Sequence, residues 1–330
     1  MVRALVVLSL FGAPERPAPS DPPTPDAEWE PADAPPPTPW AQAGARGWRL
    51  CHDAEEQARA AKRGGPRGGS PPDEVLWTRR AEQCPHAPYV LSVAAESEIV
   101  QGAELLSGVE NWDREGQQVG DVATQHAEKI SRALGWLQAS IEESARRGVP
   151  PPRETYYYRA YALTTLGRFA EAEKAVALAA KHHDAATHRI QRMAAVIKLF
   201  TGDLTAALRL GHRAVIDAPA DADRLISRFI YALVLDRAGA LHSASTEFTA
   251  LQREGGRYGA RLAVESLLPV HERLFLRALD HQANDRQSHA IRVWEMYLGR
   301  DEPEPAERVL AERHRAELEP RPELTGGPKQ

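Results

Sequence analysis

Apolar residues recur at helical spacing through most of the chain, and stretches rich in glycine and proline interrupt them. Over 41–62, Leu50, Ala54, Ala58 and Ala61 fall on one face of a helix. Over 121–147 the apolar stripe consists of Ile130, Ala133, Leu134, Leu137 and Ile141. Segments 63–72 and 148–152 carry the glycines and prolines that end helices. The pattern predicts an all-α chain of amphipathic helices.

One arrangement of small residues occurs four times between 153 and 298. Its copies are centred on Gly167, Gly202, Gly239 and, with aspartate in place of glycine, Asp285. Each centre has an alanine seven positions earlier and another five positions later; these are Ala160 and Ala172, Ala195 and Ala207, Ala232 and Ala244, and Ala278 and Ala290. Alanine suits a close crossing of two helices, and glycine takes the backbone through a turn without a Cβ penalty. Each copy therefore predicts a helical hairpin.

This frame resembles the tetratricopeptide repeat family, clearly over 153–298 and more weakly over 41–147. The resemblance implies a right-handed α-solenoid of stacked antiparallel helix pairs, because a single hairpin cannot bury its own apolar face. We expect an amphipathic helix over 303–318 to cap the stack. The alanines and glycines then mark positions where the two helices of one unit meet.

The resemblance also implies a concave groove lined by the first helix of each pair. Counting back from each turn places seven candidate partner-binding residues in it: Tyr157, Tyr161, Arg192, Phe229, Asp236, Phe275 and Gln282. Such an apolar and aromatic strip with interspersed charges indicates a protein or peptide partner. The alternative is that some groove positions, Leu233 and Leu279 first, pack under a neighbouring helix. Tyr157 and Tyr161 stand where co-chaperone members of the family have a Lys and an Asn that clamp a terminal carboxylate, so that design is not expected.

The first forty residues differ from the rest in composition. Segment 1–13 has a short basic start and an apolar run, which indicates a signal or anchor segment; the alternative is a plain start followed by a tail. Segment 14–40 holds 11 of the 26 prolines and is predicted to be a disordered, semi-rigid linker. Its proline cluster at 35–39 is alternatively a ligand for an aromatic groove. Residues 319–330 are predicted to form a disordered tail.

Cys51 and Cys84 are the only two cysteines. Helices are predicted at 41–62 and 73–84. Cys51 lies eleven residues before the end of the first, and Cys84 lies eleven residues after the start of the second. In an antiparallel hairpin the two cysteines would therefore lie at the same height along the helix axes. A disulfide here fits an oxidising compartment and supports export to the bacterial periplasm. The alternatives are two buried thiols and a cytoplasmic regulatory or sensor module.

No motif for chemistry emerges from the sequence. It lacks a phosphate-binding loop, a His-Glu-x-x-His motif and a Gly-x-Ser-x-Gly motif, and the paired carboxylates fall on solvated helix faces. The net charge of −5 argues against a nucleic-acid partner, and no apolar run is long enough to span a membrane. We therefore expect a non-enzymatic scaffold without a cofactor, a catalytic residue or a metal site. An enzyme with its site in the long segment 108–120 is the remaining alternative.

Overall fold

The computed structural model describes residues 44–64, 74–107, 116–300 and 305–318. Over these ranges every regular element is an α-helix. Fourteen helices lie in them: α1 (Gly44–Gly64), α2 (Glu74–Gln83), α3 (Pro88–Ser107), α4 (Gly116–Arg146), α5 (Thr155–Thr165), α6 (Phe169–Lys181), α7 (Thr187–Phe200), α8 (Leu204–Asp217), α9 (Asp221–Arg237), α10 (Leu241–Gln252), α11 (Arg257–Glu265), α12 (Val270–Ala283), α13 (Gln287–Leu298) and α14 (Pro305–Leu318). The all-α prediction is confirmed for this part of the chain.

The predicted helices are present with small shifts of their ends. Helix α4 begins at Gly116, five residues before the predicted start, and so takes up part of the segment expected to be a loop. The interpretations of 1–13, 14–40 and 319–330 as leader, linker and tail lie outside the described residues. Within the described residues, no helix is both long enough and apolar enough to cross a membrane.

Neighbouring helices in sequence are also neighbours in space. The most extensive contacts join α3 with α4, α5 with α6, α7 with α8, α8 with α9, α9 with α10, and α12 with α13. The first helix α7 also touches the first helices on either side of it, α5 and α9, and α14 packs on α13. One apolar core, from Tyr157 to Ala311, runs across helices α5 to α14.

The repeated glycines stand at left-handed turns between paired helices. The φ angles are 72° at Gly167, 82° at Gly202 and 78° at Gly239. Asp285 occupies the same place in the fourth hairpin and has a φ of 54°, a region that residues with a Cβ rarely enter. The central residue of each of the four sequence copies therefore lies at a turn and has a left-handed backbone conformation.

The eight alanines of the frame are fully enclosed. Their exposed fractions are all 0–1%, and they are Ala160, Ala172, Ala195, Ala207, Ala232, Ala244, Ala278 and Ala290. In each hairpin one lies in the first helix and one in the second, and those two helices make extensive contact. Larger side chains at these positions would force the paired helices apart.

The Asp285 turn gives a stability prediction. We expect Asp285→Gly to raise the free energy of unfolding by about 0.5–1 kcal/mol, because glycine reaches positive φ without the Cβ strain. Urea unfolding measures the change. Asp203→Ala is the matched control: Asp203 has a φ of −85° and its side chain accepts a hydrogen bond from the Ala206 N–H at 3.0 Å. Loss of that cap should lower stability by about 1 kcal/mol; a loss at Asp285 as well would contradict the strain argument.

Helix α11 is an additional element between the third and fourth hairpins. It packs on α9 and α12 and reaches across to α3. Ion pairs join it to α12: Arg257 lies 2.7 Å from Asp280, and Glu265 lies 2.6 Å from Arg277. At its C-terminal end the Ser266 hydroxyl accepts a hydrogen bond from Tyr161 at 2.7 Å, and the Ser266 carbonyl accepts one from Thr165 at 3.3 Å. These bonds tie α11 to α5 across about a hundred residues of sequence.

Candidate functional site

A cavity of about 410 Å³ opens where α3, α5, α7 and α11 converge. Its volume lies in the range of small-ligand pockets. We call it the tyrosine cavity; its walls are formed by Ile99, Val100, Ala103, Glu104, Tyr157, Tyr158, Tyr161, Arg189, Arg192, Ile226, Gly259, Leu262, Ala263, Ser266 and Leu267. Its polar side chains are those of three tyrosines from α5, two arginines from α7, Glu104 from α3 and Ser266 at the end of α11. Aliphatic side chains of α3 and α11 face them.

Two tyrosine hydroxyls of the cavity are already hydrogen-bonded to other side chains. Tyr158 donates to Glu96 at 2.8 Å, and Tyr161 donates to Ser266 at 2.7 Å. Burial raises the pKa of Tyr161 to about 12, and burial together with the Glu96 carboxylate raises that of Tyr158. Both hydroxyls therefore stay protonated at neutral pH, and the rings act as fixed amphipathic walls rather than as bases.

The two cavity arginines are held in place by carboxylates outside the cavity. Arg189 pairs with Glu154, and its guanidinium carbon lies 4.4 Å above the centre of the Tyr157 ring. Arg192 donates to Asp223 at 3.0 Å, and His188 lies 3.3 Å from the same carboxylate. Both arginines line the cavity, and these pairs fix the orientation of their guanidinium groups.

Asp184 positions the tyrosine-bearing helix. Its carboxylate accepts hydrogen bonds from the backbone N–H of Glu154 at 2.6 Å and of Tyr157 at 2.8 Å, at the start of α5. Burial raises the pKa of Asp184, and these backbone donors oppose the rise. The carboxylate thus satisfies N–H groups that the first turn of a helix leaves without partners.

The structure brings three of the seven predicted groove residues to this cavity. Tyr157, Tyr161 and Arg192 line it, as do Arg189 and Ile226 from the same counting frame. Gln282 is half-buried on α12 and does not line the cavity. Helices α5 and α7 thus supply one face of the recess, and α9 adds one residue. Tyr157 and Arg192 are only 4% and 8% exposed, so they are largely enclosed rather than open groove positions.

The expected exposure of Phe229, Phe275 and Asp236 is wrong. Phe229 and Phe275 are fully buried and Asp236 is 1% exposed. Phe229 packs edge-on against Phe248 of α10, and Phe275 packs against Trp294 of α13. In α9 and α12 these positions face the second helix of the same hairpin. Counting back from the turn therefore selects core residues in these two helices rather than groove residues.

Asp236 also meets the C-terminal helix. Its Oδ1 lies 3.0 Å from Nε2 of His314 on α14. Leu233 and Leu279 are buried too. This agrees with the alternative interpretation, in which some groove positions pack under a neighbouring helix. In this part of the chain the predicted groove face is covered by the protein itself.

Sequence reasoning missed the wall formed by α3 and α11. Val100 and Ala103 belong to a helix outside the clear repeats, and Leu262 and Ala263 belong to the extra helix. The only signal was Pro269, which interrupts the stretch 258–279 and shows that the register of the hairpins breaks there. That signal does not say where the displaced segment packs.

Two other clusters bear on chemistry. His271, Glu272 and Glu307 offer ligand atoms within 4.8 Å of one another. Arg237 pairs with both Glu272 and Glu307, so a cation there would have to displace an arginine.

The sulfur atoms of Cys51 and Cys84 are 2.08 Å apart and their Cα atoms are 5.5 Å apart, which is disulfide distance. Both cysteines are buried between α1 and α2.

Comparisons with protein-family models, with curated proteins and with solved structures find no match to this chain. The chemistry of the site therefore follows from its own residues and their geometry. The tyrosine cavity combines aliphatic walls, aromatic rings with fixed hydroxyls and two oriented arginines. Groups of these kinds can hold an apolar side chain beside a polar one.

Proposed function

We propose that this protein is a non-enzymatic binding scaffold, a tetratricopeptide-like α-solenoid that holds a partner peptide by one apolar or aromatic side chain in the tyrosine cavity. The observation that carries the proposal is the convergence of Tyr157, Tyr161 and Arg192 from successive first helices on one recess. Tyrosine and arginine are the residue types that most often dominate binding energy at protein interfaces. The proposal includes no cofactor and no nucleic-acid partner.

The repeat architecture is supported by two independent features. Four hairpin turns share a left-handed residue at the same place in the frame, and the eight alanines around them are all buried. In proteins built from such hairpins, successive units bury each other's apolar faces and leave one face for a ligand.

The position of α11 limits the kind of partner. Leu262, Ala263 and Leu267, in and just after α11, line the recess together with residues of α3, α5 and α7. We therefore infer that the partner inserts a side chain into a pocket rather than lying as a long helix in a groove. The apolar walls favour aliphatic or aromatic side chains, and Arg189 and Arg192 favour a polar or acidic neighbour.

A library of linear peptides panned against the full chain tests this proposal. We expect selected peptides to share an apolar or aromatic residue, and we expect Ala263→Phe, which fills the cavity from the α11 wall, to weaken their binding at least tenfold. Ala177→Phe is the control, because Ala177 is exposed on α6 and does not line the cavity. Peptides that bind both variants equally would contradict the assignment of the site.

We further propose that the protein is exported to the bacterial cell envelope. The support is the basic and apolar start of the chain together with two cysteines at disulfide distance. The competing candidate, a cytoplasmic regulatory or sensor module, requires both thiols to be free in the native protein.

A further inference from the structure

Lys62, in the last turn of α1, contacts a tyrosine of the cavity without lining the cavity itself. Only 8% of its side chain is exposed. Its Nζ atom lies 2.6 Å from Oε2 of Glu96 on α3 and 5.2 Å from the centre of the Tyr158 ring on α5. An ammonium group that is largely buried needs a charged partner. Lys62 is therefore held between α3 and α5.

The Glu96 carboxylate is shared by Lys62 and Tyr158. Its Oε1 accepts a hydrogen bond from the Tyr158 hydroxyl at 2.8 Å, and its Oε2 accepts the one from Lys62. Hydrogen bonds to a charged group are shorter and stronger than those between neutral groups. Side chains of α1, α3 and α5 thus form one network, and Lys62 contacts both the carboxylate and the ring that the network orients.

Tyr158 connects this network to the other groups of the cavity. It lines the cavity beside Tyr157, and the two rings pack edge to face with their centres 5.6 Å apart. The guanidinium group of Arg189 lies over the Tyr157 ring. A change in the orientation of Tyr158 would therefore disturb the packing of Tyr157 with Arg189.

The apolar core around α1 is separate from that of the hairpins. Cys51, Ala54 and Ala58 belong to a cluster with residues of α2 and α3, whereas the cluster that contains Tyr157 extends from α5 to α14. The contacts of Lys62 therefore link α1 to a helix whose apolar core α1 does not share. A change of charge at Lys62 should affect Tyr158 without removing apolar packing from either core.

We propose that Lys62 is a positioning residue of the tyrosine cavity: through Glu96 and its contact with the ring, it holds Tyr158 in the orientation that receives a ligand. The inference deepens the proposed function and rests on it, because the orientation of this wall matters only if the cavity binds a partner. Lys62→Met keeps an unbranched apolar side chain but loses the cation that both Glu96 and the ring attract.

Fluorine NMR of the full chain labelled with 3-fluorotyrosine tests the positioning without any ligand. The Tyr158 resonance is the one that Tyr158→Phe removes. We expect Lys62→Met to broaden this resonance, because the ring then exchanges between orientations. We expect Lys62→Arg, which keeps the charge and a long side chain, to restore a sharp line.

Arg59→Met is the matched control on the same helix. Arg59 lies about one turn before Lys62, and its guanidinium carbon lies 4.8 Å from the centre of the Tyr89 ring on α3. This variant also removes a cation that holds α1 on α3, but we expect the Tyr158 resonance to stay sharp. A resonance that Lys62→Met leaves unchanged, that Arg59→Met broadens equally, or that Lys62→Arg does not restore would overturn the proposal.

Calorimetry with the peptides selected on the wild-type chain gives the second readout. We expect Lys62→Met to weaken their binding at least about fivefold and to have little further effect in Tyr158→Phe, because the two residues act through one network. Equal binding by Lys62→Met and wild type would overturn the role of Lys62 in the cavity. If no peptide binds the wild-type chain, the proposed function fails, and the fluorine resonance alone decides whether Lys62 orients Tyr158.

Discussion

Glu265→Gln is expected to lower the free energy of unfolding by about 3–5 kcal/mol, a very large effect for one substitution. The Glu265 carboxylate is 1% exposed and accepts hydrogen bonds from both Nε and Nη2 of Arg277. A glutamine amide keeps the size but removes the negative charge, so it leaves the arginine-rich junction of α11 and α12 without one of its two carboxylates. Urea unfolding at pH 7 measures the loss, and hydrogen exchange should show weakened protection of α11.

Two further variants separate this effect from a general sensitivity to charge. Glu254→Gln removes an exposed carboxylate that lies 3.4 Å from Arg228, and should change stability by less than about 0.5 kcal/mol. The double variant Glu265→Leu/Arg277→Met replaces the buried pair with apolar groups and should recover most of the loss. A double variant as unstable as Glu265→Gln would show that packing, not charge, dominates at this position.

Reduction of the Cys51–Cys84 pair is expected to lower the free energy of unfolding by about 3 kcal/mol. The two residues are 33 apart in sequence, and a cross-link that closes a loop of this length removes entropy from the unfolded chain. Because α1 makes its contacts in this structure mainly with α2 and α3, its amides should lose protection before those of the hairpins. Urea unfolding with and without reductant gives the difference.

The control is Cys51→Ala/Cys84→Ala, whose stability should be independent of reductant. Thiol labelling of the native protein provides the decisive observation on compartment. Quantitative labelling before any reduction would contradict the disulfide and would favour the cytoplasmic alternative. No labelling until reductant is added would support export.

The hairpins were predictable because their physical requirements are local. Gly167, Gly202 and Gly239 stand where the backbone must turn left-handed, and the alanines stand where two helices cross. Both requirements are satisfied by residues at most twelve positions apart, so a repeated spacing in the sequence reveals them. Even Asp285 could be placed, because the alanines on either side of it keep the frame.

The candidate site was only half predictable because its other half is made by distant contacts. Tyr157, Tyr161 and Arg192 follow from the frame, whereas Val100 and Ala263 become walls only because α11 folds back towards α3. Phe229 and Phe275 are aromatic residues at positions that the frame treats as exposed, and only the packing of the second helices shows that they are core.

The hydrogen bonds of Tyr161 and Thr165 to Ser266 join segments 105 and 101 residues apart. In an array whose units touch only their neighbours, each hairpin can fold as soon as the ribosome has released it. Here the face of α5 that bears Tyr161 is completed only when α11 has been synthesised. Folding of the central hairpins should therefore be coupled to that late segment, which slows the process and makes unfolding more nearly all-or-none.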